Sequence, residues 1–287
     1  MRYRFIQEHA EELPVAKMCQ VLKVSRSGYY DWLARPKSKR QQRQEQLLEQ
    51  IRQSYAQGRQ VYGSPRVHAD LEEKRVKVCR NTVAKLMKKA RISSKIGRRF
   101  VAHTTDSKHD HPVASNTLGR RFDAWEKPNQ AWCCDITYVP TDEGFLYLAA
   151  VIDLCSRKVV GWAMADHLRA ELCLDALGMA LEQRRPGEGL LHHSDRGVQY
   201  ACEAYQSLLE ERGIKCSMSG VGNCYDNAAM ESFFGTLKTE LVYHEHYATH
   251  EQARRSIFEY IEVFYNRTRR HSALGYKSPV AFEASLN

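Results

Sequence analysis

The spacing of apolar positions changes near residue 130, and this change predicts how the chain is divided. Before it, apolar residues recur every three to four positions, as in amphipathic helices. After it, short apolar runs alternate with helical patterns, which predicts small all-α units ahead of an α/β domain. Residues 145–154 are apolar on both faces and predict a central strand covered by helices. The predicted strands are 132–139, 145–154, 158–165, near 190–194 and near 214–218, and the predicted helices are 170–183, 201–212 and 251–265.

The helical part contains two candidate helix-turn-helix units. In the first, residues 13–33 form two short helices joined by a turn at Lys23, Val24 and Ser25. Ser25 is a suitable N-cap for the second helix, which carries Arg26. This outline is typical of DNA-binding units, although an ordinary helical hairpin fits residues 13–33 equally well.

The second candidate unit, residues 61–92, has a stronger pattern. The sequence predicts Ser64 as the N-cap and Pro65 as the first position of a helix, a turn at residues 75–79, and a next helix opened by Asn81 or Thr82. That helix has an apolar inner face and a basic outer face, which suit the groove and the phosphates of DNA. The apolar face is formed by Val83, Leu86, Met87 and Ala90, and the basic residues are Arg80, Lys85, Lys88, Lys89 and Arg91.

Charge is distributed unevenly over the 287 residues. The net charge is +9, but residues 1–125 hold 27 Lys and Arg against 12 Asp and Glu, a net charge of +15. Residues 126–287 hold 16 against 22, a net charge of −6. This asymmetry indicates nucleic-acid binding in the front half and metal-binding carboxylates in the back half.

These patterns predict four segments. A helix-turn-helix-like unit covers residues 1–45, a second such unit 46–105, a flexible basic linker 106–124, and a catalytic core with a C-terminal helix and tail 125–287. No apolar run approaches the roughly 20 residues of a membrane span, and the basic N-terminus lacks the apolar region of a signal peptide. We therefore expect a cytoplasmic protein with no membrane partner.

Three acidic residues form the candidate catalytic site. Asp135 interrupts the apolar strand run AWCCDITYVP (131–140), where a carboxylate is costly unless it binds a metal or a partner. Asp195 ends the apolar run in GLLHHSDRGVQY, and Glu231 lies in an amphipathic helix within residues 223–241. Two strand carboxylates and one helix carboxylate can converge at one end of a sheet and hold hard divalent cations, which prefer oxygen ligands.

Simpler interpretations exist for each residue alone. Asp195 fits a strand-to-loop cap, and Glu231 fits a solvated helix position. Glu231 nevertheless shares a helical stripe with Asn227, Gly235 and Lys238 at the edge of the apolar face, which favours a role in the site.

Three further polar residues of the core favour structural roles. Asp153 fits a turn ahead of Cys155 better than it fits a metal ligand. His192 and His193 adjoin Asp195 but fit core histidines better than groups that support the site.

The motifs resemble those of a known family. Asp195 and Glu231 are separated by 35 residues, and with Asp135 they resemble the D–D–35–E core of the DDE retroviral-integrase superfamily. Within it, the chain resembles the OrfB-type insertion-sequence transposases. The motifs that carry this resemblance are YGSPRVHADL (62–71), WCCDITYV (132–139), LYLAAVIDLCSRKVVGW (146–162), HHSDRGVQY (192–200), NAAMESFFGTLKTEL (227–241) and YNRTRRHSALGYKSP (265–279).

The resemblance implies a ribonuclease-H-like core behind the helix-turn-helix units. It implies that the three carboxylates hold two Mg²⁺ ions, with Mn²⁺ as a substitute, for DNA end cleavage and strand transfer. The implied partners are the terminal inverted repeats of the element, target DNA, further copies of the chain, and in some relatives an upstream-frame DNA-binding protein or fusion. The resemblance also implies that Lys238 lies beside the site. The predicted DNA-binding residues are Lys238, Arg80, Lys85, Lys88, Lys89 and Arg26.

Two rival functions remain open at this point. A tyrosine recombinase would use Tyr265 or Tyr276 beside the Arg- and His-rich segment, but this leaves the three carboxylates unexplained. A non-catalytic DNA-binding regulator is disfavoured by the intact carboxylate set. In the same segment Arg267, Arg269, Arg270 and His271 either contact DNA or complement the negative end of the preceding helix.

Overall fold

The protein is described by a computed structural model that covers residues 1–96, 112–220 and 224–286. Its strands are β1 (Ala131–Thr141), β2 (Gly144–Asp153), β3 (Val159–Ala165), β4 (Leu191–Ser194) and β5 (Lys215–Met218). Its α-helices are α1 (Arg2–Glu8), α2 (Val15–Val21), α3 (Arg26–Ala34), α4 (Lys39–Gln57), α5 (Ser64–Glu73), α6 (Arg80–Lys89), α7 (Ala170–Arg184), α8 (Val198–Ala201), α9 (Glu203–Glu211), α10 (Ala228–Glu240), α11 (His250–Glu259) and α12 (Pro279–Ala284). A 3₁₀ turn, Cys224–Asn227, precedes α10, and a π-helix, Tyr260–Tyr265, continues α11.

The five strands form one mixed sheet in the order β3-β2-β1-β4-β5. The pairs β1–β2 and β2–β3 are antiparallel, and the pairs β1–β4 and β4–β5 are parallel. All five predicted strands are confirmed within three residues. The predicted burial of β2 on both faces is also confirmed, because Leu148 and Ile152 pack into one core cluster while Ala149 and Val151 pack into another.

Helix α7 covers one face of the sheet and approaches β3 closely. A Cβ atom at Gly161 would overlap the backbone carbonyl oxygen of Ala176 and lie 2.7 Å from the Cβ of Ala180. The absence of a side chain at Gly161 therefore sets how near α7 can lie to the sheet.

The first helical unit has its own small core. Ile6, Met18, Cys19 and Tyr29 are buried together. Ser25 caps α3 as predicted, since its hydroxyl accepts the N–H of Gly28 at 3.2 Å. Helix α1 was not predicted from the sequence and adds Ile6 to this core.

The second helical unit consists of α4, α5 and α6. Helix α4 contributes Leu47 and Ile51 to the core, and it begins at Lys39, ahead of the predicted boundary at residue 46. The predicted apolar stripe of α6 is confirmed, because Val83, Leu86 and Met87 are buried. Helix α6 begins at Arg80, one residue before the earlier of its two predicted openings.

The second unit packs directly on the α/β domain. The Tyr62 hydroxyl donates to the carbonyl oxygen of Thr268 at 3.1 Å and accepts the N–H of Arg270 at 3.0 Å. The Arg270 side chain donates to Asp70 at 2.8 Å. Residues of the C-terminal segment, 266–286, thus join the two parts of the protein.

The structure gives Arg269 and Arg270 a role outside the two left open, because each pairs with a carboxylate of another element. Arg269 is buried against Glu240, Arg270 is paired with Asp70, and Arg267 is exposed. Arg269 and Arg270 are structural, and only Arg267 among these three presents its side chain to solvent.

The predicted linker has two different outcomes. Residues 97–111 lie outside the described residues. From residue 112 onward the chain is anchored on the sheet rather than free, because Leu118 is fully buried and its N–H donates to the Ser217 hydroxyl of β5 at 3.2 Å. Nearby, Arg120 and Asn116 bond Asp226, in the turn that precedes α10, at 2.7 and 2.9 Å.

Replacing Gly161 by Ala should lower the free energy of unfolding by about 1–3 kcal/mol, because the added methyl forces α7 away from β3. Gly178 on the same helix provides the control. A Cβ there meets nothing within 4 Å. Gly178→Ala should therefore be neutral or raise stability by up to about 1 kcal/mol. Urea denaturation followed by circular dichroism measures both variants, and equal stabilities would contradict the close packing described for Gly161.

Candidate active site

Asp135 lies on β1, the middle strand of the sheet. Its side chain is partly buried, and its Oδ1 accepts the N–H of Ile136 at 2.8 Å. The neighbours Cys133 and Cys134 are buried, which confirms that this carboxylate interrupts a core strand rather than a turn.

Asp195 follows the end of β4, which runs parallel to β1. The register pairs Cys133 with His193, so both acidic residues lie two positions beyond one matched pair, on neighbouring strands. Asp195 Oδ1 accepts the N–H of Gly197 at 2.9 Å. Parallel pairing therefore brings the two aspartates to the same region of the sheet.

Glu231 lies in the first turn of α10, with an exposed side chain. The helix is tied to β1 by Asn227, whose amide Nδ2 donates to the carbonyl oxygen of Cys134 at 3.1 Å. Cys134 directly precedes Asp135, and Asn227 lies about one helical turn before Glu231. The bond therefore holds the first turn of α10, which carries Glu231, next to the strand that carries Asp135.

The negative charges of Asp195 and Glu231 both act on Asp135. Burial raises the pKa of Asp135 well above its usual value, and the negative charges of Asp195 and Glu231 raise it further. The N–H of Ile136 and the ammonium of Lys238 act in the opposite direction without reversing the shift. The site therefore concentrates negative charge that a bound cation would stabilise.

The carboxylates do not form a closed cage. Within residues 1–96, 112–220 and 224–286, no group of three or more His, Cys, Asp or Glu side chains is close enough to hold a metal ion unaided. Mg²⁺ does not need such a cage, because it usually keeps several waters and takes only one or two protein carboxylates. The all-oxygen donor set fits Mg²⁺ or Mn²⁺, and the buried Asn227 Oδ1, which has no hydrogen-bond partner, is a further oxygen near the start of α10.

Lys238 lies where the stripe predicted it, close to Asp135. Its Nζ stands 4.7 Å from the centre of the Tyr138 ring, on the same strand as Asp135. Burial lowers the pKa of Lys238, while the negative charge of Asp135 counteracts that decrease. Sequence reasoning missed Tyr138, because an aromatic residue on a buried strand carries no pattern that separates a lysine partner from a core residue.

The structural roles predicted for three core residues are confirmed. Asp153 accepts the N–H groups of Ser156 and Asn129 at 2.8 and 2.6 Å, which orders the turn after β2. His192 and His193 are fully buried, and burial lowers the pKa of His192 to about 3 and that of His193 to about 4. Both imidazoles are therefore neutral core groups at neutral pH.

The geometry disfavours Tyr265 as a nucleophile. Tyr265 is buried with its ring against His271, and burial raises its pKa to about 12. A nucleophile must be accessible and readily deprotonated, and Tyr265 is neither.

Comparisons with known proteins match most of the chain. Sequence models of the integrase core domain match residues 126–224 and 212–279, and that of an HTH-like domain matches residues 42–100. Insertion element IS600 uncharacterized 31 kDa protein of Shigella sonnei is 48% identical over 92% of this chain and 97% of that protein. Transposase InsF for insertion sequence IS3A of Escherichia coli (strain K12) is 42% identical over 99% of this chain and 98% of the relative.

This chain belongs to the insertion-sequence transposases of the DDE integrase superfamily. The expected integrase-type α/β core behind an HTH-like unit is confirmed. Among solved structures, the HTLV-2 integrase catalytic core domain in complex with magnesium is similar with a TM-score of 0.43 and 15% identity, covering 55% of this chain and 97% of that one.

The predicted DNA-binding residues of this transposase lie on three separate elements. On α6, Arg80, Lys85, Lys88 and Lys89 are all exposed. On α3, Arg26 is exposed with its guanidinium 5.8 Å from the centre of the Tyr30 ring, and on α10 Lys238 is partly buried at the carboxylates. No helix in the described ranges combines the length and the hydrophobicity that a membrane-spanning segment requires.

Replacing Asp135 by Asn should stabilise the transposase when divalent cations are removed by a chelator. A raised pKa means that the folded state resists ionisation, so the fold is destabilised as pH rises above the ordinary aspartate value near 3.9. The gain in melting temperature should therefore be larger at pH 7.5 than at pH 4, about 2–4 °C for each kcal/mol gained. Differential scanning calorimetry measures it, with the exposed Asp166→Asn as control; equal effects at the two pH values would contradict the shift.

Proposed function

We propose that this transposase cleaves DNA at the ends of its own insertion sequence and joins the freed 3′ ends to target DNA. The observation that carries this proposal is the placement of Asp135, Asp195 and Glu231 together on β1, after β4 and on α10, with the charges of Asp195 and Glu231 raising the pKa of Asp135. Membership of the transposase family supports the same reaction class.

The three carboxylates would hold two Mg²⁺ ions. When bound, such ions lower the pKa of a water or 3′-hydroxyl and stabilise the leaving oxygen of an in-line displacement at phosphorus. In both steps the attacking oxygen displaces a 3′-oxygen from phosphorus, so one site serves cleavage and joining. No bond between protein and DNA forms.

The remaining residues would orient the strand and the carboxylates. The Asn227 bond to Cys134 fixes the start of α10, and the ammonium of Lys238 can bind a phosphate beside Asp135. Tyr138 limits the directions that Lys238 can take, because the ammonium lies over its ring.

DNA would be held mainly by the helical units. The exposed basic face of α6 suits phosphates and a groove of duplex DNA such as the terminal inverted repeats, and α3 offers Arg26 as a second contact. Two element ends must meet for joining, so a homo-oligomer is expected, and an upstream-frame DNA-binding protein or fusion would add further contacts.

Replacing Asp135, Asp195 or Glu231 singly by its amide should abolish both end cleavage and strand joining. Each amide keeps the size but removes a charge needed by the cations, and a double variant should lose no more than a single one. Labelled end DNA incubated with Mg²⁺, Mn²⁺ or chelator measures both reactions. Asp166→Asn, an exposed carboxylate change, should cleave as the unmodified protein does. Near-normal cleavage by Glu231→Gln, or cleavage in chelator, would refute the metal-dependent site.

Reversing the charge of Lys85, Lys88 and Lys89 should weaken DNA binding across all sequences rather than at one base position. Each lost phosphate contact should reduce the slope of log affinity against log salt by about 0.9. Fluorescence anisotropy of labelled duplexes at several salt concentrations measures this. Reversing Arg185, Arg212 and Lys215, exposed basic residues of the α/β domain, is the charge-matched control. Equal losses in the two triple variants would contradict a binding face on α6.

A further inference from the structure

A cavity of about 370 Å³ lies against α10, next to the face that carries Glu231. Ala228, Ser232 and Thr236 line it from the helix. These residues are spaced by four and so share one face, and Ser232 follows Glu231 by one position, about 100° around the helix. The cavity and the carboxylates thus occupy adjacent sides of one helix.

Basic side chains from separate parts of the chain line this cavity. Arg66 comes from α5 of the second helical unit, Arg157 follows β2, and Arg269 and His271 come from the C-terminal segment. Among the residues that the structure describes, one acidic residue lines the cavity. This residue, Asp123, has a side chain that is 92% exposed and is paired with Arg157 at 2.7 Å. Because Arg157 is paired with Asp123, the remaining question is which carboxylates compensate the positive charges of Arg66 and Arg269.

Those two guanidinium groups share a single carboxylate. Glu240 accepts two bonds from Arg269, at 2.7 and 2.8 Å, and a third from the Tyr260 hydroxyl at 2.9 Å. Arg66 reaches the same carboxylate only at 3.5 Å. One positive charge in this half-buried place is therefore not compensated by the residues that the structure describes.

His271 does not offset the charge of Arg66, because a histidine side chain is neutral or positive. Both ring nitrogens of His271 lie within 3.4 Å of Arg269 Nη1, and burial together with Arg269 and Arg66 lowers the pKa of His271 to about 2. Burial and the neighbouring Arg269 likewise lower the pKa of Arg66. An anion entering the cavity would relieve this repulsion.

The size and the remaining walls indicate which anion. The volume falls in the range of about 300–1,000 Å³ typical of ligand pockets, larger than an inorganic phosphate requires. Phe122, Ile152, Phe233 and Tyr265 provide apolar and aromatic wall. Guanidinium groups bind phosphates through paired N–H bonds, and aromatic rings accept nucleobases.

We propose that this cavity binds one unpaired nucleotide of the DNA strand near the cleaved bond. Arg66 binds its phosphate, with the positive charge of buried Arg269 behind it, and its base lies against the partly exposed ring of Phe122. The nucleotide lies about one helix width, roughly 10 Å, from the carboxylates, a few nucleotides along the strand. This assignment rests on the proposed function, because it takes the bound strand to be the one that Asp135, Asp195 and Glu231 act on.

The test places a charge at the mouth of the cavity. Ala273 is an exposed lining residue, so Ala273→Glu and Ala273→Gln differ only in charge. The full chain is titrated in chelator with two fluorescein-labelled duplexes of the element's end, one blunt and one with three unpaired 5′ nucleotides. Ala273→Glu should weaken binding of the extended duplex about tenfold and of the blunt duplex much less, while Ala273→Gln binds as the unmodified protein does. Arg66→Gln should reproduce the loss.

Competition distinguishes the source of the phosphate. Deoxyadenosine monophosphate should reduce the affinity of the extended duplex to that of the blunt duplex, and should do so at lower concentration than inorganic phosphate. Equal effects of the two competitors would show a site for free anions and overturn the nucleotide assignment. Ala273→Glu and Ala273→Gln variants that bind both duplexes alike would also overturn it. If the melting temperature of Ala273→Glu is lower than that of the unmodified protein, the binding of Arg66→Gln to the two duplexes decides.

The two proposals can fail separately. Binding in chelator requires no chemistry, so a charge-dependent loss with no cleavage in Mg²⁺ would refute the proposed function and leave the nucleotide site. Normal metal-dependent cleavage with no difference between the Ala273 variants would do the reverse.

Discussion

Helix α10 is fixed at both ends, and the position of Glu231 depends on this. At the carboxyl end, buried Glu240 receives a two-bond contact from buried Arg269. Removing one partner of a buried ion pair destabilises a protein by about 3–5 kcal/mol, because the other charge is left without compensation. At the amino end, Asn227 bonds the strand carbonyl directly before Asp135. The distance between a helix carboxylate and a strand carboxylate is therefore set by contacts that lie outside the site itself.

The same ion pair links the site to the second helical unit. Arg269 binds Glu240 of α10, and its neighbour Arg270 binds Asp70 of α5. Tyr62 bonds the backbone on either side of Arg269, at Thr268 and Arg270. Two consecutive arginines thus join the unit with the basic helix to the domain with the carboxylates.

Local patterns predicted the parts of this structure that depend on neighbours in sequence. The strand around Asp135, the Ser25 cap and the stripe of Glu231 and Lys238 all follow from spacing and residue type. The docking of Tyr62 on Arg270 joins residues 208 positions apart, and no local pattern encodes it. The sequence alone did not predict that Arg269 and Arg270 are paired, because their carboxylate partners, Glu240 and Asp70, are distant in sequence. The anchoring of the predicted linker at Leu118 depends on the Ser217 hydroxyl of β5. No sequence pattern around Ser217 indicates this contact.

Tyr62 and its partners Thr268 and Arg270 leave the ribosome at different times during synthesis. A ribosome releases α5 long before it releases residues 268–270, since chains grow from the amino end at about 5–20 residues per second. Until then, the side of Tyr62 and Asp70 that meets the C-terminal segment has no native partner. The nascent chain can hold a folded α6 while α10 still lacks its partner Arg269. A chain interrupted before these residues would therefore keep the basic face of α6 without a correctly fixed α10. Under the proposed function, such a chain would compete for DNA with its completed copies.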